Sequence, residues 1–385
     1  MLRKFAYCLI CVLLLSGCSS FPLRQESKIS IATLYTRVPF RKEGFYRITN
    51  IYYATCRKVE KEKDSLDFLH RMGKETTYGL LDVKIDPRMT IGKMSPERLK
   101  RKEFIGVRGV EKLDSEVFLK KLTETVKTSP HKSLLVLVFG YKDNFEATVT
   151  KAAYFSYLLD INTPVLLFDW PGDQAVSVSG YKKAQSLARD SGPYLGEFLA
   201  TVIRRVRPEN LWVHSSSLGC QVACNAFEYM YKHSDLADAD TEIAQVLLAA
   251  PDVGQDEFDH QFKKEITALT GNLTTYVASD DEALLMSGLL NRQKRLGRQK
   301  VKEHAQFEEA KDILYLKSLK PDKFDLVDVT PIDKASYKHG YYLENPEYFD
   351  DVYLRFIGKR PHANRRLFLI KYKDETDYWV LRGRK

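Results

Sequence analysis

The chain has 385 residues, 44% of them hydrophobic and 12% aromatic, with 20 Gly and 14 Pro. That composition excludes collagen-like, disordered and coiled-coil proteins. Lys and Arg number 60 against 51 Asp and Glu, a net charge of +9, yet no block of five or six like charges stands out. A solvated basic surface is the expectation, docking to anionic lipid or polymer is the alternative, and a nucleic-acid partner gains little support.

The first segment reads as a targeting signal. Arg3 and Lys4 precede an apolar run from Phe5 to Leu15. That run is too short for a bilayer, which takes about 20 residues, and suits a secretory signal. It closes in Leu15-Ser16-Gly17-Cys18, which resembles the bacterial lipobox. The resemblance implies cleavage before Cys18, acylation of that cysteine and a membrane partner through the anchor. Ser19, where an Asp would retain the protein at the inner membrane, implies the outer membrane facing the periplasm. Residues 1–17 are therefore expected to be a signal and 18–28 a lipidated tether. Residues 29–359 form the main domain, and 360–385 a C-terminal extension. With Cys8 and Cys11 removed and Cys18 modified, Cys56, Cys220 and Cys224 remain. An odd count argues against a disulfide framework.

Ile48–Ala54 and Tyr78–Ile85 read as the first two strands, joined by a charged, solvated loop, KVEKEKDSLDF. Residues 94–102 read as a polar connection, and Asp114 caps a helix running to about Thr128. An alternation then begins, with SLLVLVF at 133–139 as a buried strand. Phe145–Leu159 is a helix, Pro164–Phe168 a strand and Ser179–Arg205 a helix. Asn210–Ser215 and Ile243–Ala249 are strands around a helix at Leu218–Tyr231. Glu257–Leu269 is a helix, Asn272–Ala278 a strand, Glu282–Leu290 a helix and Phe324–Val329 a strand. Arg292–Lys320 reads as a helical insertion, and Leu367–Lys373 with Tyr378–Leu381 as a hairpin. Strands alternating with helices imply a mostly parallel, doubly wound α/β sheet with helices on both faces. There is no Walker A loop, no GxGxxG and no HExxH pair, which speaks against nucleotide, dinucleotide and zinc-protease chemistry.

Chemistry concentrates at Leu211-Trp212-Val213-His214-Ser215-Ser216-Ser217-Leu218-Gly219-Cys220. A strand enters a helix through a small-x-Ser-x-Gly turn, which is what a nucleophile elbow requires. Ser215 and Gly219 supply the small residues on either side of Ser217, and the Leu218 N–H can donate to an oxyanion. Ser215 and Ser216 are rival nucleophiles, but neither has Gly two residues later. In this fold an acid and then a His follow the Ser in chain order. Asp280 and Asp281 follow one strand and Asp252 another; either of the pair could merely cap the next helix. Of eight His, six sit in polar helical or loop contexts (70, 131, 233, 260, 304 and 362), and His214 packs beside the sheet. His339 alone falls where the base belongs. Gly140, after the buried strand, allows close backbone approach and leaves the Tyr141 N–H as second oxyanion donor.

Several blocks together resemble a bacterial α/β-hydrolase family of unknown function within the esterase/lipase superfamily. Its YATxR strand, HGYN loop, FxWP strand end, HSMG elbow, AAPD strand end, NDxAL helix start and late His have counterparts here in the same order. They are Tyr53-Ala54-Thr55-Cys56-Arg57, Phe139-Gly140-Tyr141-Lys142, Phe168-Asp169-Trp170-Pro171, Ser216-Ser217-Leu218-Gly219, Ala249-Ala250-Pro251-Asp252, Asp280-Asp281-Glu282-Ala283-Leu284 and His339-Gly340-Tyr341. The resemblance implies the α/β-hydrolase fold, with Ser217 as nucleophile, Asp281 as acid and His339 as base. It also implies a small-molecule or lipid ester substrate and no cofactor or metal. Phe139, Lys142 and Ser216 depart from the pattern at two His and one Asn. Two other readings use the same fold: acyl transfer through the same triad, and a catalytically silent envelope protein that binds or scaffolds.

Overall fold

The computed structural model describes residues 41–59, 68–89, 104–233, 243–298, 323–358, 361–370 and 378–383. The signal, Cys18, the tether, residues 94–102 and most of the 292–320 insertion lie outside them. Among the described residues one sheet runs through the molecule. Its strands are β1 (Arg41–Glu43), β2 (Tyr46–Val59), β3 (Phe68–Ile85), β4 (Ile105–Leu113), β5 (Ser133–Val138) and β6 (Val165–Asp169). Then come β7 (Asn210–Ser216), β8 (Ile243–Ala249), β9 (Leu273–Val277), β10 (Phe324–Asp328), β11 (Leu367–Ile370) and β12 (Tyr378–Leu381). Their spatial order is β11-β12-β10-β9-β8-β7-β5-β6-β2-β3-β4, with β1 on β2. From β2 through β6, β5, β7, β8, β9, β10 and β12 every pairing is parallel. Antiparallel neighbours finish both edges, β3 and β4 at one and β11 at the other.

The helices are α1 (Ser115–Thr128), α2 (Phe145–Leu159), α3 (Val178–Thr201), α4 (Gly219–His233), α5 (Lys263–Leu269), α6 (Glu282–Asn291), α7 (Tyr341–Glu344) and α8 (Pro346–Phe356). The apolar run of β5 serves two cores at once. Leu135 and Leu137 join α2, α7 and α8 on one face, while Leu134, Val136 and Val138 join α1, α3 and α4 on the other. A strand buried on both faces must read apolar at every position, because successive side chains point to opposite sides.

Three expectations need correction. The first two strands are longer than their apolar cores. They extend to Val59 and from Phe68, so Phe68 is no solvated loop residue; its ring packs on Tyr53 and Phe145 at centroid distances of 6.0 and 4.4 Å. β4 was not foreseen. As an edge strand it buries only its two ends and carries Arg108, Glu111 and Lys112 between them, which blunts an open edge and hides the alternation. The helix expected over Glu257–Leu269 is interrupted, with a π-helical turn at Phe258–Phe262 before α5. Two histidines also leave their expected setting: His70 lies on β3, and His131 is buried.

Helices α3 and α4 cross closely because α3 presents glycine there. A Cβ at Gly192 would stand 2.4 Å from Asn225 Cβ, and one at Gly196 would stand 2.9 Å from the Ala226 carbonyl. Gly192→Ala would gain about 1 kcal/mol of helix propensity but overpack the crossing by about 1–3 kcal/mol. We expect net destabilisation in urea unfolding. Gly106→Ala, where a Cβ would meet nothing within 4 Å, should leave the midpoint nearly unchanged.

Candidate active site

Ser217 occupies the turn between β7 and α4 at φ +54°, in the left-handed region that a serine adopts only under constraint. The constraint comes from three sides. The Ser217 N–H donates to the Ala249 carbonyl at 2.9 Å, and its own carbonyl accepts from Asp252 N–H at 3.1 Å, strapping the turn to the end of β8. A Cβ at Gly219 would lie 2.5 Å from the Phe139 carbonyl oxygen. A Cβ at Gly140 would lie 2.7 Å from Ser217 Cβ and 3.0 Å from its Oγ. The elbow and the loop after β5 thus touch backbone to backbone, which only glycine permits at these two positions. Ser215, fully buried, fits its hydroxyl against Cys220 Sγ at 3.4 Å.

Ser217 Oγ lies 2.9 Å from His339 Nε2, and His339 Nδ1 lies 2.7 Å from Asp281 Oδ2. His339 follows two residues, Tyr337 and Lys338, that are also left-handed, so the chain turns sharply before delivering the imidazole. Asp281 is fully buried and uses both oxygens. Oδ2 meets the imidazole, while Oδ1 accepts from Leu284 N–H at 2.8 Å and caps α6. Capping and orienting the histidine, which looked like rival roles in the sequence, belong to one carboxylate. Burial favours neutral His339, but the charge and hydrogen bond of Asp281, with Asp252 and Asp333 adding, outweigh it and hold the imidazole pKa above its ordinary value. Asp333 is itself buried, and burial beside Asp280 and Asp281 pushes its carboxyl up to about 6.

The other carboxylates are engaged elsewhere. Asp252 accepts from Tyr181 at 2.7 Å and Ser287 at 2.6 Å and stands 3.1 Å from Arg295. Asp280 is part-exposed, 3.8 Å from Lys338. Buried His214 meets Tyr348 OH at 2.7 Å and is driven neutral, burial lowering its pKa to about 3. The Leu218 and Tyr141 N–H groups have no backbone acceptor among the described residues. Phe139 packs in the core, Ser216 is fully buried and Lys142 is exposed. Cys56, Cys220 and Cys224 are all free and buried.

The residues that hold the loop after β5 were missed as such. Arg57, fully buried on β2, gives Nε to Asp169 at 2.6 Å, Nη1 to Asp173 at 2.5 Å and Nη2 to the Asp143 carbonyl at 3.1 Å. Asp169 also accepts from Thr55 at 2.8 Å and Thr148 at 3.0 Å. Trp170 Nε1 donates to the Phe139 carbonyl at 2.7 Å, Lys142 N–H donates to Gly172 and Tyr141 OH to Ala175. Tyr341 OH donates to the Tyr276 carbonyl at 2.9 Å and accepts from Ala250 N–H at 2.6 Å, tying the His339 segment to β8 and β9. The available signal was charge: an Arg in an apolar strand needs a buried partner, and Asp169 ends another apolar strand.

The family model for an "alpha/beta hydrolase of unknown function (DUF900)" matches residues 115–360. No curated protein matches. Among solved structures, a protein of Legionella pneumophila described provisionally as a hydrolase is 13% identical, covering 78% of this chain and 79% of its own, with a TM-score of 0.24.

The Arg57 cluster carries a stability prediction. Removing one partner of a buried ion pair costs about 3–5 kcal/mol, because the other charge is stranded without water. Asp169→Asn should lose a large part of that, softened by Asp173, in urea unfolding. Glu111→Gln breaks the exposed pair with Lys121 and should change stability by less than about 1 kcal/mol.

Proposed function

The chain belongs to this family of α/β hydrolases, and we propose that it is a serine hydrolase cleaving an ester or related acyl bond. The observation that carries the reading is the unbroken hydrogen-bonded chain from Ser217 through His339 to Asp281, assembled at the C-terminal ends of β7 and β9. In an open parallel sheet that edge is where ligands bind. His339 Nε2 takes the Ser217 proton as Oγ adds to the acyl carbon, and Asp281 holds the tautomer and stabilises the imidazolium. The Leu218 and Tyr141 N–H groups receive the oxyanion. The imidazolium then protonates the leaving alcohol, the acyl group remains on Ser217, and a water deprotonated by His339 releases it as the acid.

The test is labelling with a fluorophosphonate, followed by ester hydrolysis. Ser217→Ala should abolish labelling and cut turnover by roughly 10⁴–10⁶, while Ser215→Ala and Ser216→Ala remain labelled. An unlabelled parent chain would overturn the hydrolase reading in favour of a binding fold. Only neutral His339 can accept the proton, and its pKa is raised, so kcat/KM should fall as pH drops through a midpoint above 6.5. Asp281→Asn removes the charge that holds the midpoint up; the midpoint should move down and kcat should drop by roughly 10²–10⁴. Asp280→Asn should change kcat little.

We further propose that the chain is anchored by lipid at Cys18 in the bacterial envelope, facing the periplasm from the outer membrane. The support is the Leu15-Ser16-Gly17-Cys18 ending and the Ser that follows. No helix among the described residues is long and apolar enough to cross a membrane. Cys18→Ala should release the protein from membranes washed at high salt, which screens charge-assisted docking. A mutant that stays there with unchanged migration would refute the anchor.

A further inference from the structure

Of the twelve large hydrophobic side chains exposed among the described residues, seven lie on segments that touch the active-site edge. Four are on α6: Leu285, Met286, Leu289 and Leu290. Their spacing places them on one side of the helix, opposite Leu284 and Ser287, which face the protein. Tyr337, two residues before His339, is 72% exposed, and the 3₁₀ turn that bears it packs on α6. Val176 and Val178, 76% and 58% exposed, follow Ala175, whose carbonyl holds Tyr141 OH. These segments are joined: Lys182 at the start of α3 bonds Asn291 at the end of α6, and the Tyr141 and Tyr181 rings meet edge to face at 5.7 Å. A face of this kind, formed at the mouth of one site rather than scattered, marks an interaction surface.

We infer that this face docks the protein on an anionic lipid surface. Three observations choose that occupant. First, the segments that bear the apolar side chains carry exposed Lys142, Lys182, Arg292 and Lys334 beside exposed Glu282 and part-exposed Asp280, a basic balance among these residues that favours anionic headgroups. Second, α6 has ten residues, about 15 Å of helix, with bulky apolar groups outermost. That suits a helix lying in the interface with its apolar face among the acyl chains. Third, the chain between Cys18 and Arg41 spans at most about 80 Å, so the anchor proposed there confines the domain near a bilayer. Tethering then raises the effective concentration of lipid at a face that already binds it. Docked this way, the protein turns the edge bearing Ser217 and His339 toward lipid, which makes a lipid ester the substrate class. That last step rests on the proposed hydrolase chemistry; the docking does not.

The experiment uses the mature chain, residues 18–385, carrying Cys18→Ser so that no acyl group tethers it. It is floated with vesicles of phosphatidylcholine alone or mixed with phosphatidylglycerol. The protein should float with the mixed vesicles at low salt and remain behind with phosphatidylcholine. Met286→Glu with Leu289→Glu, both at exposed positions, should lower the bound fraction about tenfold or more while the circular dichroism spectrum is unchanged. Absence of flotation with mixed vesicles, or equal flotation of the double variant, overturns the inference. So does sedimentation showing a dimer that the double variant dissociates, since the face would then cover a second copy. Fluorophosphonate labelling of the same preparation reports separately on Ser217. A chain that floats unlabelled keeps the docking face and loses the hydrolase, and one that labels but does not float does the reverse.

Discussion

Everything at the active-site edge depends on holding one serine in a conformation that serine disfavours. Ser217 stands at φ +54°, and an L-residue placed there relaxes unless its neighbours leave it no alternative. Here the neighbours are backbone. The end of β8 fixes Ser217 through its N–H and its carbonyl, and the loop after β5 presses against it where Gly140 has no Cβ. Those contacts in turn need the loop itself to be rigid. Arg57, Trp170 and the backbone of Gly172 and Ala175 supply that rigidity, each by a hydrogen bond to a different residue between Phe139 and Asp143. The strain at Ser217 and the buried charge on β2 are thus two ends of one arrangement.

The sequence blocks that looked like separate short motifs acquire a common reason in that arrangement. Arg57 of the first block pairs with Asp169 of the third, and Trp170 of the third bonds the carbonyl that opens the second. Asp252 of the fifth block touches the elbow through its N–H, while its carboxylate binds Tyr181, Ser287 and Arg295. Tyr341, two residues after His339, braces the ends of β8 and β9 together. None of these pairs is close in sequence. They occur in fixed chain order because each sits at the same edge of a sheet whose strands follow one another.

How much of this was visible beforehand follows from where the information resides. The central strands could be read because burial on both faces forces an unbroken apolar run, as in β5. Gly140, Ser215 and Gly219 could be picked out because an elbow admits nothing larger. Ser217 and His339 could be located by strand ends and chain order, while Asp281 was separated from Asp280 and Asp252 only by the family resemblance; the structure sets the three within hydrogen-bond distance. β4 could not, since an edge strand bearing charges has no apolar pattern to find. The partnership of Arg57 with Asp169 offered only a charge in each of two apolar strands, because a pairing across 112 positions leaves no periodic trace. The π-helical turn before α5 is equally silent.

Asp281 shows how tightly orientation and architecture are bound at this edge. A carboxylate that only oriented His339 could shift with a mobile loop, and one that only capped a helix could be replaced by Ser or Thr. This one does both through different oxygens, so the direction of the imidazole is referred to the axis of α6. That helix is fixed on its inner side by Leu284 against Gly297 and by Ser287 against Asp252. Asp252 is bonded through its N–H to the carbonyl of Ser217, which closes the circuit from helix to serine. A force applied to the outer face of α6 therefore meets a unit in which cap, histidine and serine move together. Tilting the helix alone would lengthen the Asp281–His339 bond or the cap, and both draw on a carboxylate that is fully buried.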